Sequence, residues 1–251
     1  MDKYQRLEKK LKNQEKIIGG QFVMLNSPLL FEKMAGRDQD FILLDCEHGV
    51  FDAQSVIPCL QVANLLGQPV IVRVQDAYYH LVTKVIDMGA YGVMLPRTET
   101  MEQVKAAVDG LYFPPIGKKG IGGHAQIRAG EDVGNYKRVF FPQIESPTGI
   151  ALMPEMLERY GDYIDAFIIG PYDLSVTLGI PRDFENPKFL SAVQTVFDTA
   201  KAHGKSVGIY VNDEVVAKKY WNMGANVLWF GTDVDYFMRG LNAMVDGIEK
   251  L

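Results

Sequence analysis

Four short stretches of the chain carry the residue types that chemistry needs. Asp45, Glu47 and His48 follow an apolar run at 41–44; Arg73 closes a β-branched run at 70–72; Gln143 and Glu145 stand two apart at 143–145; Gly170, Pro171, Tyr172 and Asp173 follow the run 166–169. Oxygen ligands from two neighbouring stretches, Glu145 and Asp173, suit a hard divalent ion such as Mg²⁺ or Mn²⁺, which keeps several water or substrate oxygens. The same carboxylates would serve equally as caps of the helices that follow them. A carboxylate can fix the tautomer and orientation of an imidazole, so Asp45 and His48 form a candidate general base. The alternative is a histidine satisfied by a backbone partner. Glu47 either hydrogen-bonds metal-bound water or faces solvent. A guanidinium such as that of Arg73 suits an oxyanion that develops during reaction, and an ion pair with Asp45 or Glu145 is equally compatible with the position. No predicted strand ends in Lys, so no Schiff-base nucleophile is evident. A carbanion formed among these residues would need a metal as its electron sink.

These stretches fall at regular places. Short β-branched runs alternate with longer segments of helical period, the pattern of repeated βα units around a parallel sheet. Strands are expected near 22–25, 41–45, 69–74, 91–95, 140–145, 164–170, 205–211 and 226–231, with helices at 54–66, 78–88, 99–109, 187–203 and 233–250. Gly67, Gly89, Gly110, Gly204 and Gly224 stand where helix C-caps are expected. Eight such units predict a closed (β/α)8 TIM barrel, with a doubly wound open sheet as competitor. A single domain is expected over 1–251, with 1–20 as a helical segment before the first strand. In such a barrel the C-terminal ends of the strands carry the chemistry, and the four stretches converge on that rim. The long Gly- and Pro-rich stretch 111–138 is uncommon for a plain connection. Its glycines at 117–123 match no phosphate-binding fingerprint, although Lys119 or backbone N–H groups there could meet a carboxylate, and His124 is a modest candidate for substrate contact.

Composition narrows the partners. With 251 residues, 47% hydrophobic and 23% charged, the chain can bury a large core. A net charge of -5 argues against nucleic acid or an anionic membrane surface as the main partner. The basic cluster Lys9, Lys10 and Lys12 is interrupted by Glu8 and reads as a solvated helix face. No run approaches the roughly 20 apolar residues of a membrane span, and the charged beginning does not read as a signal peptide. Two cysteines, Cys46 and Cys59, offer neither a disulfide framework nor zinc spacing, which points to the cytoplasm, with Cys46 as a small buried thiol.

Five motifs in order, "LLDCEHGVFD" (43–52), "VIVRV" (70–74), "YFPPIGKKGIGG" (112–123), "QIESPTGI" (143–150) and "IIGPYDLSVTLGIP" (168–181), resemble the HpcH/HpaI family of metal-dependent pyruvate aldolases across roughly 20 to 245. The resemblance implies a (β/α)8 barrel assembled as a homohexamer, a trimer of dimers, with the last helix exchanged between subunits. It implies that Glu145 and Asp173 bind Mg²⁺, Mn²⁺ or Co²⁺, and that His48 with Asp45 transfers a proton while Arg73 stabilises an enolate. Gln143 would lie near bound pyruvate, whose carboxylate would meet backbone N–H groups at Tyr172 and Asp173, beside Gly170 and Pro171. The implied reaction cleaves a 4-hydroxy-2-oxo acid into pyruvate and an aldehyde, and runs in reverse as an aldol addition. The sequence departs from the family at Lys118–Lys119–Gly120, where Arg often precedes Gly, in the stretch 124–138, and at Tyr172, where a smaller residue is common. Three alternatives stand beside this reading. A CoA-ester lyase of the citrate-lyase β type would need a basic nucleotide-binding surface that the sequence does not display. A metal barrel that decarboxylates or tautomerises an oxo acid is the second. The third is a non-catalytic oxo-acid-binding barrel, which would have no need of a general base.

Overall fold

A computed structural model describes residues 1–122, 126–128 and 131–251. Eight parallel strands close in sequence order: β1 (Ile17–Phe22), β2 (Phe41–Asp45), β3 (Val70–Arg73), β4 (Gly92–Leu95), β5 (Val139–Ile144), β6 (Ala166–Ile169), β7 (Ser206–Val211) and β8 (Val227–Phe230), with β8 pairing back onto β1. The helices are α1 (Lys3–Asn13), α2 (Pro28–Ala35), α3 (Ile57–Leu66), α4 (Tyr79–Asp87), α5 (Met101–Leu111), α6 (Pro147–Tyr160), α7 (Pro171–Thr177), α8 (Pro187–Ala202), α9 (Glu214–Met223) and α10 (Asp233–Ile248). The chain is therefore the closed (β/α)8 barrel, not the open sheet.

The alternation of a strand explains how the core and the site arise from one pattern. Phe41 and Leu43 of β2, Ile71 of β3, Val139 and Phe141 of β5, and Ala166 and Ile168 of β6 belong to the inner apolar cluster. Their neighbours Ile42, Leu44, Val70 and Val72 join the outer cluster beneath the helices. Continuing these inner rows by two residues reaches Asp45, Arg73, Gln143 and Gly170, and a further two on β5 reaches Glu145. The polar residues are thus the top layer of the barrel interior, and the register sets Asp45 directly beside Arg73 across β2 and β3. At the opposite end α1 closes the barrel with Leu7 and Leu11. Its Lys9 and Lys12 are exposed, whereas Lys10 pairs with the buried Asp40 at 2.7 Å.

Two boundaries differ from the sequence reading. The first strand is Ile17–Phe22, not 22–25, and the N-terminal helix ends at Asn13. Gly19 lies inside β1, where a Cβ would collide with the Phe41 ring that fills the barrel there. Gly110 does not end a helix; it lies within α5, against Val82 of α4. Gly67 and Gly224 are left-handed C-caps as expected. The described residues between α5 and β5 lie towards the N-terminal face of the barrel, where Arg128 stacks over Tyr4 and Tyr91 and Tyr112 donates to the Arg138 carbonyl. Lys119 there is buried, paired with Asp87 and lying over the Phe113 ring, so within this chain it is not available to a substrate carboxylate. His124 lies outside the described residues.

Candidate active site

A cavity of about 370 Å³ opens at the C-terminal ends of the strands. Asp45, His48, Arg73, Gln143, Glu145 and Asp173 all line it, as do Gly170, Pro171 and Tyr172. Among the strand-end residues singled out from sequence, Glu47 alone stands outside the lining, in contact with Arg73 behind it. The described residues that line this cavity include no lysine.

Arg73 and Asp45 form the most ordered part. Arg73 donates Nε to Asp45 Oδ1 at 2.8 Å and Nη2 to Oδ2 at 2.5 Å, a bidentate fork–fork pair that is buried on both sides. Its Nη1 lies 3.3 Å from Glu47 Oε2 and 3.5 Å from Gln143 Oε1, and its plane sits 5.3 Å from the Trp229 ring centroid. Burial works against the guanidinium charge, yet the Asp45 hydrogen bonds and the charges of Asp45, Glu47 and Glu145 outweigh it, so its pKa is raised. Asp45 also accepts from Gln21 Nε2 at 3.0 Å and from the backbone N–H groups of Glu47 and His48 at 3.1 and 3.3 Å.

The Asp45–His48 dyad expected from sequence is not what the side chains do. Asp45 holds the loop that carries His48 through its backbone, while the imidazole is 64% exposed and has Glu47 as its nearest carboxylate, at 3.8 Å. The physical reason is competition: both Asp45 oxygens are already engaged by the buried guanidinium, by Gln21 and by two backbone donors. Glu47 faces inward rather than to solvent. It sits between Arg73, His48 and Arg97, and burial raises its pKa against the pull of those cations.

Glu145 occupies the next strand end. It is buried; one oxygen accepts from the Arg97 backbone N–H at 2.8 Å, and the other faces Gly170, where any Cβ would collide with it. Burial, together with the charges of Glu47 and Asp173, pushes its carboxyl up to about 7, and the Arg97 N–H and Arg73 only partly oppose that. Capping does not account for either carboxylate: Ser146 caps α6, and Asp173 lies inside the first turn of α7, after Gly170. Thr177 Oγ1 donates to the Glu145 carbonyl at 2.8 Å, tying α7 and its exposed Asp173 to the end of β5. Among the described residues neither Glu145 nor Asp173 makes an ion pair, and the buried Nε2 of Gln143 has no partner. Two like-charged carboxyls and an unused donor around one cavity describe a place shaped for a cation and an oxygen-rich ligand. No cluster of three or more metal-ligating side chains occurs among the described residues, so two carboxylates would hold an ion whose remaining positions go to water or substrate.

A pattern specific to the HpcH/HpaI aldolase/citrate lyase family matches residues 19–240. The chain belongs to that family. It is 29% identical over 237 residues to the 5-keto-4-deoxy-D-glucarate aldolase of Klebsiella pneumoniae subsp. pneumoniae, a match that covers 92% of each chain. The crystal structure of an HpcH/HpaI aldolase from Desulfitobacterium hafniense superposes with a TM-score of 0.86 at 27% identity, over 98% of this chain and 97% of that one. A family protein from Burkholderia cenocepacia does so with a TM-score of 0.89 at 25% identity, over 97% and 99%. Membership makes the chain an enzyme of carbon–carbon bond chemistry, a lyase of the aldolase kind.

Several residues in or beside the cavity escaped the sequence reading. Gln21 was hidden by the misplaced first strand. Arg97 contributes its backbone N–H to Glu145 and its side chain to Glu47, and only the strand end "MLPR" hints at it. Trp229 and Tyr210 face the cavity as members of their strands, where sequence shows ordinary apolar residues. Cys46 is buried, and burial and Asp45 push its thiol up to about 12, as befits an inert core residue.

Proposed function

We propose that this chain is a class II pyruvate aldolase, which cleaves a 4-hydroxy-2-oxo acid into pyruvate and an aldehyde and catalyses the reverse addition. The observation that carries the reading is Glu145: a buried carboxyl held near 7, beside Asp173 and without a cation, in a cavity that also presents Arg73 and Gln143. Glu145 and Asp173 would hold a divalent ion (Mg²⁺, Mn²⁺ or Co²⁺), which supplies a Lewis acid for the 2-oxo group. Gln143 offers its unpaired Nε2 to the oxo acid. Helix α7 starts without a side-chain cap, which leaves the first N–H groups, at Tyr172 and Asp173, to receive the carboxylate. His48, at the cavity mouth, takes the proton of the C4 hydroxyl, directly or through a water. As the C3–C4 bond breaks, its electron pair moves into the C2–C3 enolate and C4 leaves as the aldehyde. Arg73, already oriented by Asp45, faces the new negative charge without reorganising. Protonation at C3 completes pyruvate. The substrate in the relatives' name, counted from its oxo-acid end, belongs to the same 4-hydroxy-2-oxo class.

The same proposal includes a homohexamer with an exchanged last helix. Phe237, Leu241, Met244, Val245 and Ile248 form an exposed apolar face along α10, at helical spacing, and a second copy is the occupant the resemblance names. Leu241→Glu should shift the mass measured by light scattering to smaller species; an unchanged mass contradicts the exchange. The cytoplasm is proposed on the two free, buried cysteines. Among the described residues no helix is long and apolar enough to cross a membrane.

The reaction is tested by pyruvate release, coupled to lactate dehydrogenase, over a panel of 4-hydroxy-2-oxo acids with Mg²⁺, Mn²⁺, Co²⁺ or EDTA. Metal-dependent release that disappears in Glu145→Ala is expected. Release that survives EDTA, or none with any metal, contradicts the reading.

A further inference from the structure

The cations of the cavity are unequally committed. Arg73 is engaged by Asp45 and Glu47, whereas Arg182 lines the same cavity and makes no ion pair among the described residues. Its guanidinium is exposed, 5.9 Å from the Tyr172 ring centroid. The backbone beneath it is unusual: φ is 61°, in the left-handed region that suits glycine and is uncommon for a long side chain. The fold holds it there. The Arg182 N–H donates to Ser175 Oγ at 2.9 Å, and that fully buried hydroxyl donates to the Tyr172 carbonyl at 2.6 Å. One hydroxyl therefore fixes Arg182 to the first turn of the helix that carries Asp173.

We propose that Arg182 is a specificity-determining residue that binds a carboxylate at the far end of the aldehyde half of the substrate; the inference rests on the aldolase reading. The floor of the cavity offers a second carboxylate no free cation: Arg73 is already paired with Asp45, and Glu145 and Asp173 are themselves carboxylates. A substrate with a second carboxylate would be repelled there unless a cation met that group away from the reacting carbons. Among the described residues Arg182 is the cavity arginine that no carboxylate already occupies, and it is exposed where Arg73 is buried. Tyr172 and Tyr210 form an aromatic wall of the same cavity, with ring centroids 6.2 Å apart. The cavity is larger than a three-carbon oxo acid fills, so the aldehyde half extends along this wall towards the guanidinium. A planar fork with an unpaired face matches a carboxylate better than a hydroxyl.

The test pairs two aldehydes that differ in one group: tartronate semialdehyde, which ends in a carboxylate, and glyceraldehyde, which ends in a hydroxymethyl group. Each is condensed with pyruvate by the metal-loaded protein, and the ratio of the two kcat/KM values is measured. The wild type should prefer tartronate semialdehyde, and Arg182→Met should lower the ratio roughly tenfold, the scale of one charge-assisted hydrogen bond. Arg182→Gly, which suits the left-handed backbone, should lose the preference equally, while Arg182→Lys should retain part of it. A ratio preserved in both Arg182→Met and Arg182→Gly overturns the role of Arg182 and leaves the aldolase reading standing. A wild type that condenses neither aldehyde, under metals that load the site, overturns that reading and this inference with it.

Discussion

Replacing Glu145 by Gln should stabilise the metal-free protein, and the gain should grow with pH. In the folded chain the Glu145 carboxyl titrates at about 7, against an ordinary 4.5, because burial disfavours its charge. Between those values the unfolded chain has released the proton and the folded one still holds it. Stability therefore falls as pH rises through 4.5, and the penalty is complete above about 7. That gap corresponds to roughly 3 kcal/mol at pH 8. For a chain of 251 residues, at about 2 °C per kcal/mol, the loss is about 6 °C in Tm. The glutamine keeps an oxygen for the Arg97 N–H and carries no charge. Asp165, also held up to about 6 by burial, adds the same slope to both proteins and cancels. Scanning calorimetry in EDTA from pH 5 to 8 should give a Tm difference, variant minus wild type, that climbs from about 2 °C to about 6 °C. Excess Mg²⁺ should close the gap from the wild-type side, increasingly at high pH. A difference that is flat with pH, or a variant less stable at pH 8, refutes the description of Glu145 as a buried carboxyl awaiting a cation.

Other substitutions test the remaining parts. Arg73→Ala should lower kcat by on the order of 10²–10³, as for the loss of one oxyanion donor. It should also destabilise by about 3 kcal/mol, since Asp45 is left buried without its partner; steady-state kinetics and urea unfolding read the two effects. Gly170→Ala should weaken Mn²⁺ binding at least tenfold in a calorimetric titration, because the added methyl displaces the Glu145 carboxylate; unaltered affinity would contradict that carboxylate as a ligand. The proposed role of His48 on the substrate proton requires that His48→Asn lower kcat by about 10²–10⁴ while Mn²⁺ affinity stays as in the wild type.

Much of this architecture is legible in the residues themselves, because a barrel strand writes its inner and outer rows at period two. Asp45, Arg73, Gln143 and Glu145 each extend an inner row past its apolar layers, so one pattern specifies both the core and the rim. Where the reading failed, a local signal pointed the wrong way. The first strand was placed too late because Gly19 lies inside it to make room for Phe41, a contact 22 residues away that local pattern does not contain. The Asp45–His48 dyad failed for a similar reason. Proximity in sequence places the two residues on one loop, but the choice of partner for Asp45 is made by Arg73 across the sheet, through a register that appears only when β2 and β3 pair. Arg182 was illegible because the role proposed for it rests on a backbone angle and on the absence of an ionic partner among the described residues, neither of which a residue type reveals.

The central claim is that this cavity generates a pyruvate enolate, and the exchange of pyruvate methyl protons for deuterium, followed by proton NMR with Mg²⁺ and no aldehyde, tests it most directly. The account predicts exchange well above the protein-free rate, suppressed by EDTA and by Glu145→Gln, and slowed by on the order of 10²–10³ in Arg73→Ala. Pyruvate that binds in the presence of Mg²⁺ yet keeps its methyl protons at the solvent rate would contradict it.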